Sequence, residues 1–441
     1  MRTAVVGAGF AGVATALQLC ARGIDTVLVG APALFGRGVA YGAAQPEHLL
    51  NVPADRMGIA ADAPEDFADW SGLQGEARGG FASRLDYGRY LDDRLQRAQA
   101  DCGARLRVRR AEVLALARVP RGWRLDLDDG TALEADAVVL APGAPARLAP
   151  SQAALPGVIA DPWQPGALAG LAADAPVLIV GTGLTMADLL VSLETAGHTG
   201  PIVALSRRGL LPRMRKAHAT PAPLPASVLA ALEGGRLAEA VLRFRAAVAG
   251  GTSADGFVET LRGLTPGLWR GWPLAVRRRF LRHLRPWWDT LRHRVPPQTR
   301  ARLDAAQARG QLRVLAGRLL ALDAAGDGLR ATIRPRHAEA TTALEVAHVI
   351  FATGLDADLR ASASPLLAQL LGDGLAVPDP TGLGLACDPQ GALLDAHGTP
   401  VPGLHVVGAL RRGECWESTA VAELRAQAAA LAARLAGAVP A

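Results

Sequence analysis

The feature that most constrains the fold is a pattern that occurs twice along the chain. Each copy has a short apolar strand, a glycine turn, a helix, a meander of strands and a second apolar strand that ends at glycine. The first copy opens with strand 3–6 and closes at 138–143, and the second opens with 177–180 and closes at 349–354. Apolar strands that alternate with helices are typical of parallel sheets. The repetition therefore predicts an α/β protein with two similar domains.

The order of the two copies predicts that the second domain is inserted in the first. We expect the first part of domain one at 1–150, domain two at 151–356, and a return to domain one at 357–441. In the last part, strand 403–408 and a helix from Ser418 to Leu435 would complete the first sheet. The arginine- and tryptophan-rich segment 212–311 is predicted to be a helical insertion within domain two.

The first glycine turn has the pattern G-x-G-x-x-G, formed by Gly7, Gly9 and Gly12. The first glycine permits a tight turn, the second lets a pyrophosphate approach the backbone, and the third packs the helix on the strand. Strand, turn, helix and second strand occur in the order of a Rossmann-like unit, so we predict FAD binding here. Gly30 occupies the position where an acidic residue usually holds the ribose, so another group must make that contact.

The second turn is a shorter match to the same pattern, and it predicts a nicotinamide cofactor. Its second strand, 202–205, runs into two arginines where a carboxylate would favour NADH. Guanidinium groups suit a 2′-phosphate, so NADPH is favoured over NADH. The alternative is that the two arginines form a solvated basic turn. The residues expected to bind this cofactor are Gly181, Gly183, Thr185, Arg207 and Arg208.

Charge, apolar runs and cysteine spacing limit the kinds of partner and cellular location that we expect for the protein. The net charge of +6 suits an acidic partner, and phosphate-bearing cofactors fit this charge as well as nucleic acid does. In segment 269–294, an apolar stripe of Phe280, Leu284, Trp287 and Leu291 predicts one core helix, so we expect no nucleic-acid partner. No apolar run reaches the roughly 18 residues that cross a bilayer. The four cysteines stand far apart, without metal-ligand or compact disulfide spacing, which suits the cytoplasm.

Several further segments carry a resemblance to a known family. They are 35–42, 48–54, 84–91 and 416–420, followed by Glu423, Arg425 and Gln427. In their order and spacing they resemble the FAD/NAD(P)-binding proteins that include FAD-dependent urate hydroxylase and nitrosuccinate-forming L-aspartate N-monooxygenase. The resemblance implies a monooxygenase in which NADPH or NADH reduces FAD and one atom of dioxygen is transferred to a small anionic, nitrogen-containing substrate.

The resemblance also implies roles for particular residues. Gly36 and Tyr41 would approach the flavin, Gly354 and Gly408 would close strands that face the cofactors, and the segment from Trp416 to Thr419 would cover the flavin. The alternative role for Trp416 is that of a buried residue of the hydrophobic core. Thr419 is included among the cofactor-binding residues.

The expected catalytic residues combine one amide with arginines that attract an anion. Asn51 offers an amide to the flavin ring or its oxygen adduct, with a loop-capping role as the alternative. Arg56, Arg84, Arg89 and Arg411 lie in or beside segments expected near the flavin, and Arg84 and Arg411 are chosen as catalytic.

Three activities remain open at this point. Urate 5-hydroxylation is the leading hypothesis, N-hydroxylation of L-aspartate or another amine is its rival, and an NAD(P)H-dependent electron-transfer flavoprotein reductase is the rival from another class. A disulfide reductase is disfavoured because the sequence has no C-x-x-C or C-x-x-x-x-C pair.

Overall fold

The computed structural model describes residues 1–144, 151–216, 219–354, 359 and 362–437. In these residues the strands form sheets of six, seven and three strands. In chain order the strands are β1 (Arg2–Val6), β2 (Asp25–Gly30), β3 (Leu106–Arg110), β4 (Val113–Val119), β5 (Gly122–Leu127), β6 (Ala132–Ala135), β7 (Ala137–Leu140), β8 (Val158–Ile159), β9 (Val177–Val180), β10 (Ile202–Ser206), β11 (Leu312–Ala325), β12 (Gly328–Pro335), β13 (Thr342–Val346), β14 (His348–Phe351), β15 (Ala392–Leu394) and β16 (Pro400–Val406).

Helices pack against the two larger sheets and also form a separate cluster. In chain order the helices are α1 (Phe10–Cys20), α2 (Gly38–Gly42), α3 (Asp66–Trp70), α4 (Arg84–Cys102), α5 (Leu184–Thr195), α6 (Ala226–Glu233), α7 (Leu237–Ala249), α8 (Ala254–Gly271), α9 (Leu274–His283), α10 (Arg285–Arg292), α11 (Pro297–Ala308), α12 (Pro365–Gly372), α13 (Arg412–Cys415) and α14 (Val421–Gly437). Helices α1, α4 and α14 pack on one face of the first sheet, α5 and α11 on one face of the second, and α6 to α10 form the separate cluster.

The first sheet has the strand order β15-β16-β7-β1-β2-β3. Its pairs are parallel except for the antiparallel edge pair β15–β16. The central strand β1 buries Ala4 and Val5 completely, as a strand covered on both faces must. Helices α1, α4 and α14 share one core on one face. The carboxyl ends of β1, β7 and β16 therefore meet at one edge, where α/β proteins bind ligands.

The second sheet repeats the centre of the first. Its order is β13-β12-β11-β10-β9-β14-β8, so β14-β9-β10-β11 corresponds to β7-β1-β2-β3. The pairs β9–β10, β9–β14 and β10–β11 are parallel, whereas β11, β12 and β13 form an antiparallel extension. The small sheet β4-β5-β6 is the antiparallel meander of the first copy. The predicted α/β class with two Rossmann-like units is confirmed.

The chain forms β1 to β7, then all of the second sheet, and returns to the first sheet with β15 and β16. The predicted domain limits at 150/151 and 356/357 fall beside or within 145–150 and 355–358, which lie outside the described residues. Those limits stay a prediction.

The helical insertion is built from α6 to α10, with Trp269, Trp272 and Phe280 at its centre. The predicted single helix through Phe280 and Leu291 is wrong. The chain changes from α9 to α10 at Leu284, because Pro286 has no N–H to donate to the preceding turn. Phe280, Leu284, Trp287 and Leu291 nevertheless line one apolar cavity, as their common stripe predicts, although Trp287 is 44% exposed.

Two of the four cysteines form a disulfide, although their wide sequence spacing predicted no disulfide framework. Helices α1 and α4 lie side by side, so Cys20 and Cys102, 82 positions apart, are joined by a disulfide. Cys387 and Cys415 are free thiols. Within the described ranges, no helix has the length and apolar character needed to cross a membrane.

Candidate cofactor sites

The first glycine turn lies between β1 and α1, and the packing of the protein itself requires two of its glycines. Gly7 has φ +104° and donates its N–H to the Val29 carbonyl at 2.7 Å. A Cβ on Gly7 would lie 2.3 Å from the Ala141 carbonyl oxygen, and one on Gly12 would lie 1.7 Å from the Gly7 oxygen. No other residue fits either position.

Gly9 leaves the start of α1 open toward a ligand. It is the N-cap of α1, no described side chain caps that helix, and its first turn contains no acidic residue. Unpaired N–H groups at a helix start attract phosphate. Gly38 passes over this turn, since a Cβ on Gly9 would lie 3.5 Å from the Gly38 Cα. Gly36, at φ +86°, donates to the Ala8 carbonyl at 2.8 Å, so the loop is fastened beside the turn.

The missing acidic residue at Gly30 has a steric cause. A Cβ on Gly30 would lie 2.6 Å from the Cβ of Ala8, so no side chain fits at the end of β2. Asp92 lies beside the loop that contains Gly36, but its carboxylate is paired with Arg37, whose Nε lies 2.7 Å away. Sequence reasoning missed this pair, because 55 positions separate its members.

The second glycine turn repeats the geometry of the first. Gly181 has φ +133°, donates to the Leu205 carbonyl at 2.8 Å, and would place a Cβ 2.1 Å from the Ala352 oxygen. Gly183 is the N-cap of α5 without a capping side chain from the described residues. A Cβ on Gly183 would meet no described atom within 4 Å, so the space above this turn is open. Thr185 follows in the first turn of α5 and is half-buried.

The segment after β10 is held by a hydroxyl that sequence reasoning missed. Thr182 donates its hydroxyl proton to the Leu210 carbonyl at 2.6 Å, and its oxygen lies within hydrogen-bond distance of the Ser206 hydroxyl at 2.8 Å. Of the two predicted phosphate ligands, Arg207 is exposed. Arg208 donates to the His283 carbonyl at 3.3 Å, so it also holds the helical insertion. The two arginines therefore differ in availability to a phosphate: Arg207 is exposed, whereas Arg208 contacts the helical insertion.

Tyr41, Asn51 and Arg84 lie around the start of α4. Tyr41 packs edge-on against Tyr87 with ring centroids 4.6 Å apart, and burial raises the pKa of Tyr41 to about 12, so its phenol stays neutral. Asn51 is half-buried in the loop before α3. Arg84 lies 2.6 Å from Asp188 of α5 and donates to the Leu49 carbonyl at 3.0 Å. It thus connects the two nucleotide-binding units.

The other expected arginines do not form one anion site with it. Arg89 is exposed and pairs with Asp86 at 2.9 Å. Arg411 is buried, and its guanidinium donates to Glu414 at 2.7 Å and to the Pro389 carbonyl at 3.1 Å. Arg56 is half-buried. The charge of Arg411 is therefore already compensated within the protein.

The end of the chain returns to the first glycine turn. Gly408, at φ +85° after β16, donates its N–H to the side-chain oxygen of Gln427 at 3.0 Å and lies against Ala11 of α1. Trp416 is buried and stacks on Trp269 with centroids 5.0 Å apart, which is the core position given as its alternative. Thr419 is half-buried just before α14.

Gly354, the last described residue before 355–358, is exposed with φ +79°. It follows β14, which corresponds to β7 of the first sheet. Its position at the carboxyl edge of the second sheet is that expected for a residue facing a cofactor.

The class of fold is supported by comparison with known protein families. A family model described as FAD-NAD(P)-binding matches residues 4–145, which begin within β1, contain the first glycine turn and extend past β7. The match agrees with the prediction of FAD together with a nicotinamide cofactor. None of the curated proteins matches the chain.

Solved structures extend the likeness over the whole length. L-lysine 6-monooxygenase from Pseudomonas syringae is 18% identical over 99% of both chains with a TM-score of 0.66. Ornithine hydroxylase from Pseudomonas aeruginosa is 15% identical over 99% of this chain and 98% of its own, with a TM-score of 0.63. A cadaverine monooxygenase bound to FAD, from Erwinia amylovora, is 13% identical over 99% and 94%, with a TM-score of 0.65. At these identities the likeness establishes the fold.

The open space at Gly183 gives a test of the second site. We expect Gly183→Ala to fold and keep FAD, because the added methyl meets no described atom. The methyl would obstruct a bound pyrophosphate and raise the KM for NADPH about tenfold, equivalent to about 1.4 kcal/mol. Steady-state kinetics of NADPH oxidation measure this change. Gly267→Ala, also in open space but in α8, is the matched control and should leave the KM unchanged. An unchanged KM in Gly183→Ala would place the nicotinamide cofactor elsewhere.

Proposed function

We propose that the chain is an FAD-dependent monooxygenase that uses NADPH and dioxygen to hydroxylate the nitrogen of an amine. The observation that carries the proposal is the pair of equivalent glycine turns at the carboxyl edges of two sheets with the same central order. Two dinucleotides in one chain are what hydride transfer from a nicotinamide to a flavin requires.

The residues of the first turn fit FAD. Gly9 leaves the N–H groups of α1 open to the pyrophosphate, and Gly36 and Tyr41 border the path toward the ring. When bound, FAD supplies the hydride acceptor and the activation of dioxygen. The protein contributes the positions of the two cofactors and the exclusion of water, with Thr419, half-buried just before α14, as a proposed contact of the flavin.

The residues of the second turn fit NADPH. Gly183 lies beneath open space, and Arg207 is exposed at the end of β10, where a 2′-phosphate would lie. Arg207 is the better candidate for this phosphate, since Arg208 donates to the helical insertion.

Disulfide reduction is not supported by the position of the cysteines. The disulfide partner Cys20 ends α1, roughly 16 Å along the helix from the glycine turn at 1.5 Å per residue. Burial raises the pKa of both Cys387 and Cys415 to about 12, so these thiols are not thiolates at neutral pH. Neither arrangement places a reactive dithiol at the flavin.

An amine is a better substrate hypothesis than urate. Three solved structures with this fold are named as lysine, ornithine and cadaverine monooxygenases or hydroxylases. The buried pairing of Arg411 with Glu414 also removes one of the arginines that an anion such as urate would need. Asn51 and Arg84 remain the residues proposed to border the reacting atoms, and the charge of Arg84, like that of Arg411, is already paired, here with Asp188.

We expect amines to accelerate NADPH oxidation by the FAD-loaded protein and to yield a hydroxylamine. The assay measures the consumption of NADPH and oxygen and the release of hydrogen peroxide. Cadaverine, 2-phenylethylamine and urate are each added as the substrate in separate reactions. Product formation equal to NADPH consumption, with little peroxide, supports the proposal. Consumption that no amine changes, with electrons passed only to an added acceptor, identifies the electron-transfer reductase instead.

A further inference from the structure

An apolar cavity lies in the helical insertion, separate from both glycine turns. Its volume is about 150 Å³, and of the eighteen described residues that line it, all but Thr265 have hydrocarbon or aromatic side chains. The Thr265 hydroxyl donates to the Leu261 carbonyl at 2.8 Å, so it is already satisfied. An apolar cavity of this volume has room for one benzene ring.

Five tryptophans contribute to the wall, and the protein itself uses the indole N–H groups of three of them. The indole N–H of Trp269 donates to the Gly413 carbonyl at 2.9 Å, that of Trp272 to Leu232 at 2.6 Å, and that of Trp288 to Glu417 at 3.2 Å. A ligand therefore finds surface for dispersion contacts and no need of a polar partner there.

Four guanidinium groups argue against a cation inside this aromatic cavity. Arg208 lies over Trp287 at 5.9 Å and Arg277 over Trp269 at 5.5 Å. Arg285 and Arg412 lie over Trp416 at 5.9 and 5.2 Å. These arginines already use the electron-rich faces, and an ammonium among them would be repelled.

Along the chain, Trp416 links the wall of the cavity to the first cofactor edge. This residue forms part of the wall and directly follows α13, which begins four positions after Gly408. The Trp269–Gly413 hydrogen bond fastens α8 to α13. On the other side Trp287 is 44% exposed, so the cavity is reachable from solvent.

We propose that this cavity binds the hydrocarbon group of the substrate, about the size of one six-membered ring, and leaves the amine nitrogen outside toward the flavin. The substrate is then an apolar amine, unlike the dicationic cadaverine. The assignment of the bound group to a substrate rests on the proposed function, whereas the presence of a binding site for a neutral ring does not.

Binding is tested on the FAD-loaded protein by titration calorimetry with toluene. The matched ligand is N-methylpyridinium, which has nearly the same shape and a positive charge. We expect toluene to bind and N-methylpyridinium to bind at least about tenfold more weakly, a difference of about 1.4 kcal/mol. Equal or tighter binding of the cation would overturn the proposal.

Variants locate the bound ring. Val241 lines the cavity, whereas its neighbour Leu242 is 67% exposed and does not. We expect Val241→Trp to weaken toluene binding at least about tenfold and Leu242→Trp to leave it unchanged. Leu291→Trp fills the cavity from α10 and gives the same result if Val241→Trp fails to fold. Unchanged binding in a folded cavity variant contradicts the proposal.

Turnover separates this inference from the proposed function. Stimulation of NADPH oxidation by 2-phenylethylamine above that by cadaverine, lost in Val241→Trp, supports both. Toluene binding without oxidation of any amine leaves the ring site in place, overturns its assignment to a substrate and removes the proposed function. Hydroxylation of cadaverine without toluene binding keeps the function and overturns the cavity proposal.

Discussion

Gly12→Ala is expected to yield a protein that does not retain FAD. The added Cβ would lie 1.7 Å from the Gly7 carbonyl oxygen, so α1 must move away from β1 and the turn must open. We expect the affinity for FAD to fall at least about 100-fold, or about 2.7 kcal/mol. The flavin-to-protein absorbance ratio after purification and FAD titration of the apoprotein measure the loss.

Two further glycine variants give this result its meaning. Gly263→Ala lies in α8, where a Cβ meets no described atom within 4 Å, and it should keep FAD fully. Gly9→Ala makes only ordinary contact with Gly38 at 3.5 Å, so it should fold while its methyl weakens FAD binding. Normal FAD binding in both Gly9→Ala and Gly12→Ala would show that the flavin does not bind at this turn.

Glu417→Ala is expected to lower the free energy of unfolding by about 3 kcal/mol, because it leaves a buried guanidinium with poor compensation. Glu417 and Arg292 are each 5% exposed in their side chains and lie 3.2 Å apart. Glu423, at 3.5 Å from Arg292, remains as a weaker partner, which keeps the effect at the lower end for a broken buried pair. Urea denaturation followed by tryptophan fluorescence measures the change.

An exposed ion pair provides the control for Glu417→Ala. Glu345 lies 3.0 Å from Arg330, with side chains 72% and 55% exposed. Water already solvates both groups, so we expect Glu345→Ala to change stability by less than about 0.5 kcal/mol. A similar effect of the two substitutions would mean that burial of the Arg292–Glu417 pair contributes nothing.

The sheets and their glycine turns were predictable because their signals are local. Gly7 and Gly181 each follow an apolar strand directly, and each adopts positive φ where the predicted tight turn lies. The steric conflict that makes Gly30 obligatory was not predictable, because Ala8 approaches it only after the strands have paired. The same limit concealed the Cys20–Cys102 disulfide, which depends on α1 and α4 lying side by side.

The candidate site was predictable in its glycines and less so in its charged side chains. Arginine was expected to await an anion, yet Arg84 pairs with Asp188 and Arg411 with Glu414. These partners lie on other elements or one turn further along, and an arginine in a sequence does not reveal them. The helix break at Pro286 had a local signal, since proline interrupts a helix, but the regular apolar stripe obscured it.

The strand order of the first sheet has a consequence for synthesis of the protein. β7 ends at Leu140, whereas its neighbour β16 begins at Pro400, about 260 residues later as the chain is translated. The second sheet, whose strands all lie between these two, can be complete while one edge of β7 still lacks its partner. An exposed strand edge pairs readily with other chains. Nascent or truncated chains that stop before β16 should therefore aggregate through this edge, and chaperones have the most to protect during that interval.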